Sequence, residues 1–324
     1  MEAGYVNQNY SPQQNNLPPK RVMIWAIPRS LSTVLCKCLS CIPGVRLFYE
    51  PYFAAWGLGP ERCNHGMANE DLFEHYYALV QEDMRKAGSK ALFPDTNWFD
   101  HEAWTFDTVK NQLKTSFDPN VRLVVSKDPA YAIAGNYDKI PDGYQHVFLI
   151  RHPLKTTVSF KKMMQQIADY NHNNDAGSST NDVPPPRPVT LSSNFRYAEI
   201  YKLYKHIAKN HQETPLVIDA DDLQNHSESI LRQLFEGIGV PYKDSVATWP
   251  KSDEFSKSWA TSKLNMYGSV VAGEEGYFAT AFRSTHFQAA KDAPARESLT
   301  QDVLDVADSV MPMYEELYQL RIKP

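Results

Sequence analysis

The first structured segment constrains this chain more than any other. A short apolar run, RVMIWAI (21–27), passes through Ile-Pro-Arg-Ser-Leu-Ser-Thr into VLCKCLSCI, which stops before Pro43-Gly44. An apolar run of that length before a proline turn reads as a buried strand, and the segment after the turn reads as a helix. The pattern then recurs. GVRLFYEP (44–51) reads as a second strand stopped by Pro51, and VRLVVS (121–126) as a third ending at Lys127-Asp128-Pro129. HVFLI (146–150) reads as a fourth, ending at Arg151-His152-Pro153, and PLVID (215–219) as a fifth. Helical periodicity or capping marks 69–88, 106–117, 154–170, 194–210, 227–242 and 297–319. Strands alternating with helices imply an α/β fold with a mostly parallel central sheet covered by helices on both faces. In such sheets ligands collect at the carboxyl ends of the strands. The polar residues that follow the first four strands are therefore expected to converge on one edge.

Composition sets the outer limits. The 324 residues are 42% hydrophobic and 22% charged, enough for one large α/β domain with a substantial core. Residues 1–20 are polar and rich in Asn, Gln and Pro, and read as a flexible tail before a domain at 21–324. The polar, proline-rich stretch 171–190 reads as a flexible loop or lid inside that domain, because strand–helix alternation resumes after it. A net charge of -5 gives no general attraction to nucleic acid or anionic membrane. No run approaches the roughly 20 apolar residues needed to cross a bilayer. The tail lacks the charged start and apolar core of a secretion signal. A cytoplasmic protein is expected, without nucleic-acid or membrane partners; a homodimer stays open. Cys36, Cys38 and Cys41 fall in one expected helix but point to different sides of it, and no His-rich segment follows. They read with Cys63 as reduced thiols, and no metal is expected.

The turn after the first strand carries Arg29, Ser30, Leu31, Ser32 and Thr33 and opens directly into a helix. Free amides and the positive dipole end of a helix suit phosphate, with the hydroxyls and Arg29 adding donors and charge. The segment lacks G-x-x-x-x-G-K-[ST], which argues against an ordinary ATPase or GTPase loop. A hydroxyl-rich helix cap would look the same in isolation. A second element is Arg151 at a strand end with Ser159 two turns into the next helix; a guanidinium fork and a hydroxyl so placed can clamp a second phosphate.

Taken together, these elements resemble the PAPS-dependent sulfotransferase family, whose donor is 3′-phosphoadenosine 5′-phosphosulfate. IWAIPRSLST is similar to the family's 5′-phosphosulfate loop. FLIRHPLKTTVSF is similar to its 3′-phosphate motif, with Arg151, then Pro153, then Ser159 eight residues on from the arginine. VIDADDLQNHSESILRQLFEGIGVP resembles the family's later strand, acidic turn and helix. The resemblance runs from about Val22 to about Tyr242. It implies a P-loop-like fold, PAPS as donor with PAP as product, and Arg29, Ser30, Leu31, Ser32, Thr33, Arg151 and Ser159 at the nucleotide. Leu31 stands where many members have Gly. Leucine enters positive φ only at a cost, so the loop must use ordinary dihedrals or carry strain.

Transfer of a sulfuryl group to an acceptor oxygen or nitrogen needs alignment, charge stabilisation and a base. Glu50, in FYEPY, resembles the base of the family's carboxylate branch, and Asp128, in VVSKDPAY, is the alternative. The histidine that phenol- and steroid-type members carry near Asp128 has no counterpart here. Arg29 and Lys127 are candidates to neutralise the sulfuryl oxygens, with Ser126 assisting. Arg283, Ser284 and Thr285 could reach the 3′-phosphate, or form a plain turn. Tyr52, Phe53, Trp56 and Tyr131 are candidates for an acceptor pocket, within a wider set (Trp98, Phe99, Trp104) most of which should be core. The absence of a basic run favours a small alcohol, phenol or amine over a polyanionic glycan. A small-molecule kinase or a non-catalytic nucleotide-binding protein remains as an alternative.

Overall fold

A computed structural model describes residues 18–57, 105–175, 188–191, 196–210, 214–251, 258–262 and 278–324, with residues 59, 75, 78, 79, 82, 98 and 99 between them. The strands are β1 (Lys20–Ala26), β2 (Val45–Tyr49), β3 (Trp98–Phe99), β4 (Leu123–Pro129), β5 (Gln145–Ile150), β6 (Leu216–Asp219) and β7 (Thr261–Ser262). The helices are α1 (Ser32–Ser40), α2 (Pro51–Gly57), α3 (Phe106–Lys114), α4 (Pro153–Asp175), α5 (Tyr197–Asn210), α6 (Ala220–Asn225), α7 (Ser227–Gly237), α8 (Ala279–Arg283) and α9 (Gln301–Gln319). Five strands form one parallel sheet in the order β2-β4-β1-β5-β6, and β3 pairs in parallel with β7 in a separate two-stranded ribbon. The fold is therefore the α/β arrangement expected, with β1 at the centre.

The central strand shows why the apolar runs are unbroken. Met23, Trp25 and Ile27 project into one core with Val109 of α3, Ile200 of α5 and Val306 of α9. Val22, Ile24 and Ala26 project into the other with Leu35 of α1 and Leu234 of α7. Alternate residues thus meet opposite helix layers, and both sets must be apolar. The indole of Trp25 keeps a partner in this setting: its Nε1 donates to Nδ1 of buried His146 at 3.1 Å. That histidine is a core group at the start of β5, remote from the strand ends.

Several boundaries differ from the sequence reading. β4 does not stop at Ser126; it pairs with β1 as far as Ala26 opposite Pro129. Lys127 turns its carbonyl toward the β2 side, where it accepts from Glu50 N at 2.7 Å. Pro129, two residues on, faces the same side beyond the last rung of β2, so its missing N–H breaks no ladder bond. Lys127 and Asp128 are therefore strand residues with side chains on opposite faces. α4 runs on to Asp175, so residues 171–175 are helical, while 176–187 lie outside the described residues. Beyond them, Val189 N donates to Gln165 Oε1 and Leu191 N to Asp302 Oδ2, each at 2.9 Å, which ties this segment to α4 and α9. α3 and α7 end earlier than expected, and α9 starts later, after a 3-10 turn at Arg296–Ser298. Of the helix expected over 69–88, residues 75, 78, 79 and 82 are described and helical. The tail before residue 18, Cys63 and Trp104 lie outside the described residues.

Candidate functional site

The turn between β1 and α1 is held by its own backbone geometry. Ser30 is buried, and its hydroxyl donates to Ile27 O at 2.8 Å, closing the turn. Arg29 and Leu31 both take left-handed conformations, with φ of 68° and 69°. The loop carries strain at Leu31 rather than avoiding it, at a cost of roughly 1–2 kcal/mol for each such residue. Leu31 is also the N-cap of α1 and makes no side-chain cap bond, so the first amides of the helix have no side chain over them. Ser32 and Thr33 are buried in the first turn, and the Thr33 hydroxyl lies 2.8 Å from that of Tyr49. Among the described residues only Arg29, Leu31, Glu50 and Arg196 are non-glycine residues with positive φ. All four belong to the loops above the sheet's carboxyl edge, where backbone strain commonly marks function.

The second candidate phosphate motif closes onto the first. Arg29 Nε donates to Ser159 Oγ at 3.1 Å, and Arg151 Nη1 donates to the Arg29 carbonyl at 3.1 Å. Arg151 Nε lies 3.6 Å from Asp221 Oδ1, Lys155 pairs with the same carboxylate, and Arg151 Nη2 lies 3.5 Å from Gln224 Oε1. The Tyr197 hydroxyl donates to the Arg151 carbonyl. Arg151 Nε and Thr157 Oγ1 are buried without a hydrogen-bond partner. Asp221 and Gln224 lie in α6 and its entry, within the acidic turn already noted in the sequence, but their contact with Arg151 needs the fold. Asp219 caps α6 from the end of β6, accepting from Asp221 N at 2.9 Å and Asp222 N at 3.3 Å. The Tyr314 hydroxyl donates to its other oxygen at 3.0 Å. Burial raises the Asp219 carboxyl to about 6.

The two candidate bases have different surroundings. Glu50 leaves β2 at φ 57°, and its carbonyl accepts from Ala54 N at 3.0 Å, starting α2. Its carboxylate pairs with Lys127 Nζ, which also lies 4.7 Å from the Tyr49 ring centroid. Asp128 is wholly buried on the other face of β4. Its Oδ1 accepts from Phe53 N at 3.0 Å, and the Ser126 hydroxyl lies 3.5 Å from Oδ2. Burial pushes this carboxyl well above the usual range, against the amides of Phe53 and Tyr52 that hold it down. Asp128 thus anchors the first turn of α2, and Ser126 serves Asp128.

The four acceptor candidates separate. Tyr52 is fully buried, packs near Trp25 and Phe106, and donates its hydroxyl to Lys139 O at 2.7 Å. Phe53, Trp56 and Tyr131 form a cluster, with Trp56 and Tyr131 edge-on at 5.1 Å. Over it lies Arg196, 4.2 Å from the Tyr131 centroid and 5.6 Å from that of Trp56. No sequence signal pointed to Arg196, which stands 65 residues after Tyr131 in a segment read only as helix. Trp98 and Phe99 form β3.

The C-terminal candidates lie around α8. Arg283 is exposed. The buried Ser284 hydroxyl donates to Ala281 O at 2.6 Å and lies 3.2 Å from Trp249 Nε1, and Thr285 Oγ1 lies 3.0 Å from His286 Nδ1. The tie from this segment to the phosphate loop is Lys37 of α1, whose buried ammonium donates to the carbonyls of Ala281, Phe282 and Ser284 at 3.1, 2.8 and 3.0 Å. Among the described residues no group of three or more His, Cys, Asp or Glu is placed to hold a metal, and no helix is long and apolar enough to cross a membrane.

No protein-family model matches the chain, and no curated protein matches it by sequence. Solved structures are similar to it in chain path. One is the sulfotransferase domain from the curacin biosynthetic pathway, at 17% identity, with 91% of this chain and 98% of that one covered and a TM-score of 0.44. Another is sulfotransferase STF9 from Mycobacterium avium, at 11% identity, 94% and 78% coverage and a TM-score of 0.41. Mouse sulfotransferase SULT7A1 complexed with PAP is similar at 10% identity, 94% and 86% coverage and a TM-score of 0.29.

Proposed function

We propose that this protein is a sulfotransferase that takes its sulfuryl group from PAPS and passes it to a hydroxyl or amine of a small acceptor. The observation that carries this reading is the joining of the two phosphate motifs. Arg29 and Ser159 are 130 residues apart in the chain, and Arg29 and Arg151 are 122 apart, yet each pair is hydrogen-bonded. The donor set suits a bisphosphorylated nucleotide: two guanidinium groups, hydroxyls and an uncapped helix start. Arg151 Nε makes no hydrogen bond within the protein, although Asp221 Oδ1 lies 3.6 Å away, and is an atom that a bound oxyanion would satisfy.

When bound, PAPS supplies a sulfuryl group already activated by its phosphoadenosine leaving group. The chain's part is positioning and charge. Glu50 takes the proton of the acceptor hydroxyl on a carboxylate oxygen. The acceptor O–S bond forms as the S–O bond to the 5′-phosphate breaks, and PAP departs with the electron pair. Lys127 and Arg29 balance the charge that builds on the oxygens of the transferred group. Asp128 is a positioning residue, because it is buried and occupied with the amide of Phe53. The reading includes no metal, since a sulfuryl group carries less charge than a phosphoryl group. It places the protein in the cytoplasm, with Cys36, Cys38 and Cys41 as free thiols.

Calorimetric titration with PAP against ATP–Mg²⁺ tests the donor: PAP binds tightly and ATP–Mg²⁺ does not. Glu50→Gln lowers turnover by roughly 10²–10⁴-fold while PAP affinity stays within about threefold. Tight binding of ATP–Mg²⁺ alone would sink the reading. Turnover that survives Glu50→Gln would move the base elsewhere.

A further inference from the structure

The ring cluster carries a cation, Arg196, that has no counter-ion among the described residues. Arg196 stands immediately before α5, its backbone at φ 38° and its side chain half-buried over Tyr131 and Trp56. Among the described residues no carboxylate lies within ion-pair distance of it. Other cations of the fold have such partners: Arg151 and Lys155 share Asp221, Lys161 meets Asp302, and Arg321 meets Asp222. Withdrawing part of a guanidinium from water without a counter-ion is unfavourable, and the left-handed backbone adds strain. Stacking on two rings recovers only part of this. A guanidinium stacked on two rings, with its fork uncommitted to any carboxylate among the described residues, suits an oxyanion from outside.

The opposite end of the ring cluster leads to the proposed base, where the Glu50 carboxylate is paired with Lys127. Phe53 belongs to the first turn of α2, which Glu50 starts and Asp128 anchors. The Tyr131 phenol is pushed up chiefly by burial and pulled down by the Arg196 guanidinium over its ring. A ligand along these rings meets a guanidinium at one end and the base at the other. An anionic group held at Arg196 leaves a hydroxyl at the far end of the ligand to face Glu50.

We propose that Arg196 determines acceptor specificity by binding a carboxylate, so that the acceptor is a small, flat hydroxy acid laid along Phe53, Trp56 and Tyr131. Its role as sulfuryl acceptor rests on the function proposed above; its binding does not. Equilibrium binding of 4-hydroxybenzoate, 4-hydroxyphenylacetate and their methyl esters, read by calorimetry and by tryptophan fluorescence, tests this with and without PAP. The wild-type protein binds each acid roughly tenfold or more tighter than its ester, the scale of one charge-assisted pair. Arg196→Met abolishes that difference by weakening the acids alone, and Arg196→Lys, which keeps charge but not the fork, retains part of it. Ester binding and melting temperature in both variants report that the fold is intact. Equal binding of acids and esters by the wild type, binding of neither, or an acid preference that persists in Arg196→Met would each overturn the proposal. Acid preference without PAP binding would sink the donor reading and leave Arg196 standing; PAP binding without acid preference would do the reverse.

Discussion

At the turn after β1 and the end of β5, cations and hydroxyls bond one another across the sheet; around α2 and Tyr131, aromatic rings pack together under one cation. The donor edge is cross-linked by Arg29, Ser159 and Arg151 and backed by Asp221 and Lys155. The acceptor side draws its rings from α2 and the turn after β4, and its cation from the start of α5. A nucleotide phosphate has one shape and a fixed charge, so fixed donors at strand ends and a helix start recognise it. An acceptor has a body as well as a reactive group, so its site needs apolar area supplied from several elements. The two proposed halves meet at Glu50 and Lys127, at the last rung of the β2–β4 ladder.

The contrast can be broken by substitutions that touch one side only. The largest effect is expected at Arg151. Truncating a hydrogen-bonded, paired charge costs about 2–5 kcal/mol, so Arg151→Met should weaken PAP binding by roughly 100-fold while leaving the acid-over-ester ratio unchanged. Calorimetry with both ligands reads this; a fall in both affinities would show that the halves are coupled.

A smaller effect belongs to the support beneath the donor edge. The Asp219 carboxyl, at about 6 in the folded protein, lies above its ordinary 3.8. The folded state therefore binds the extra proton, so this group's contribution to stability is fully present below pH 4 and is lost as the pH rises through 6. Asp219→Asn keeps an oxygen for the α6 amides and removes the titration. Urea unfolding across pH 4–8 should lose that slope and show a variant more stable than wild type above pH 6, by on the order of 1–3 kcal/mol. A slope that persists would assign it to another group.

The smallest effect separates core from pocket. Tyr52→Phe removes the bond to Lys139 O and should cost about 1 kcal/mol of stability. Binding of acids and esters should not change, because the ring is sealed between Trp25 and Phe106. A selective loss of acceptor affinity would return Tyr52 to the pocket.

Much of the donor edge was legible because its groups follow strands directly. Arg29 and Arg151 stand just beyond apolar runs, and alternation of strand and helix already implied that they share an edge. The strain at Leu31 was foreseeable as one of two outcomes, and the structure took that one. The division of labour between Glu50 and Asp128 was not legible. It depends on β4 continuing past Ser126, which sends Lys127 and Asp128 to opposite faces, and a one-residue slip in register would exchange those faces.

The sequence by itself determined the parallel α/β architecture and the ordering of the candidate phosphate motifs, because period, punctuation and strand-end charge are local properties. Only the tertiary structure decided that Arg29 bonds Ser159, that Asp128 is an anchor, that Tyr52 is core, and that Arg196 lies over Tyr131. Each of those facts joins residues distant in the chain, and packing of the helix layers on the sheet, rather than any local preference, sets the distance between them.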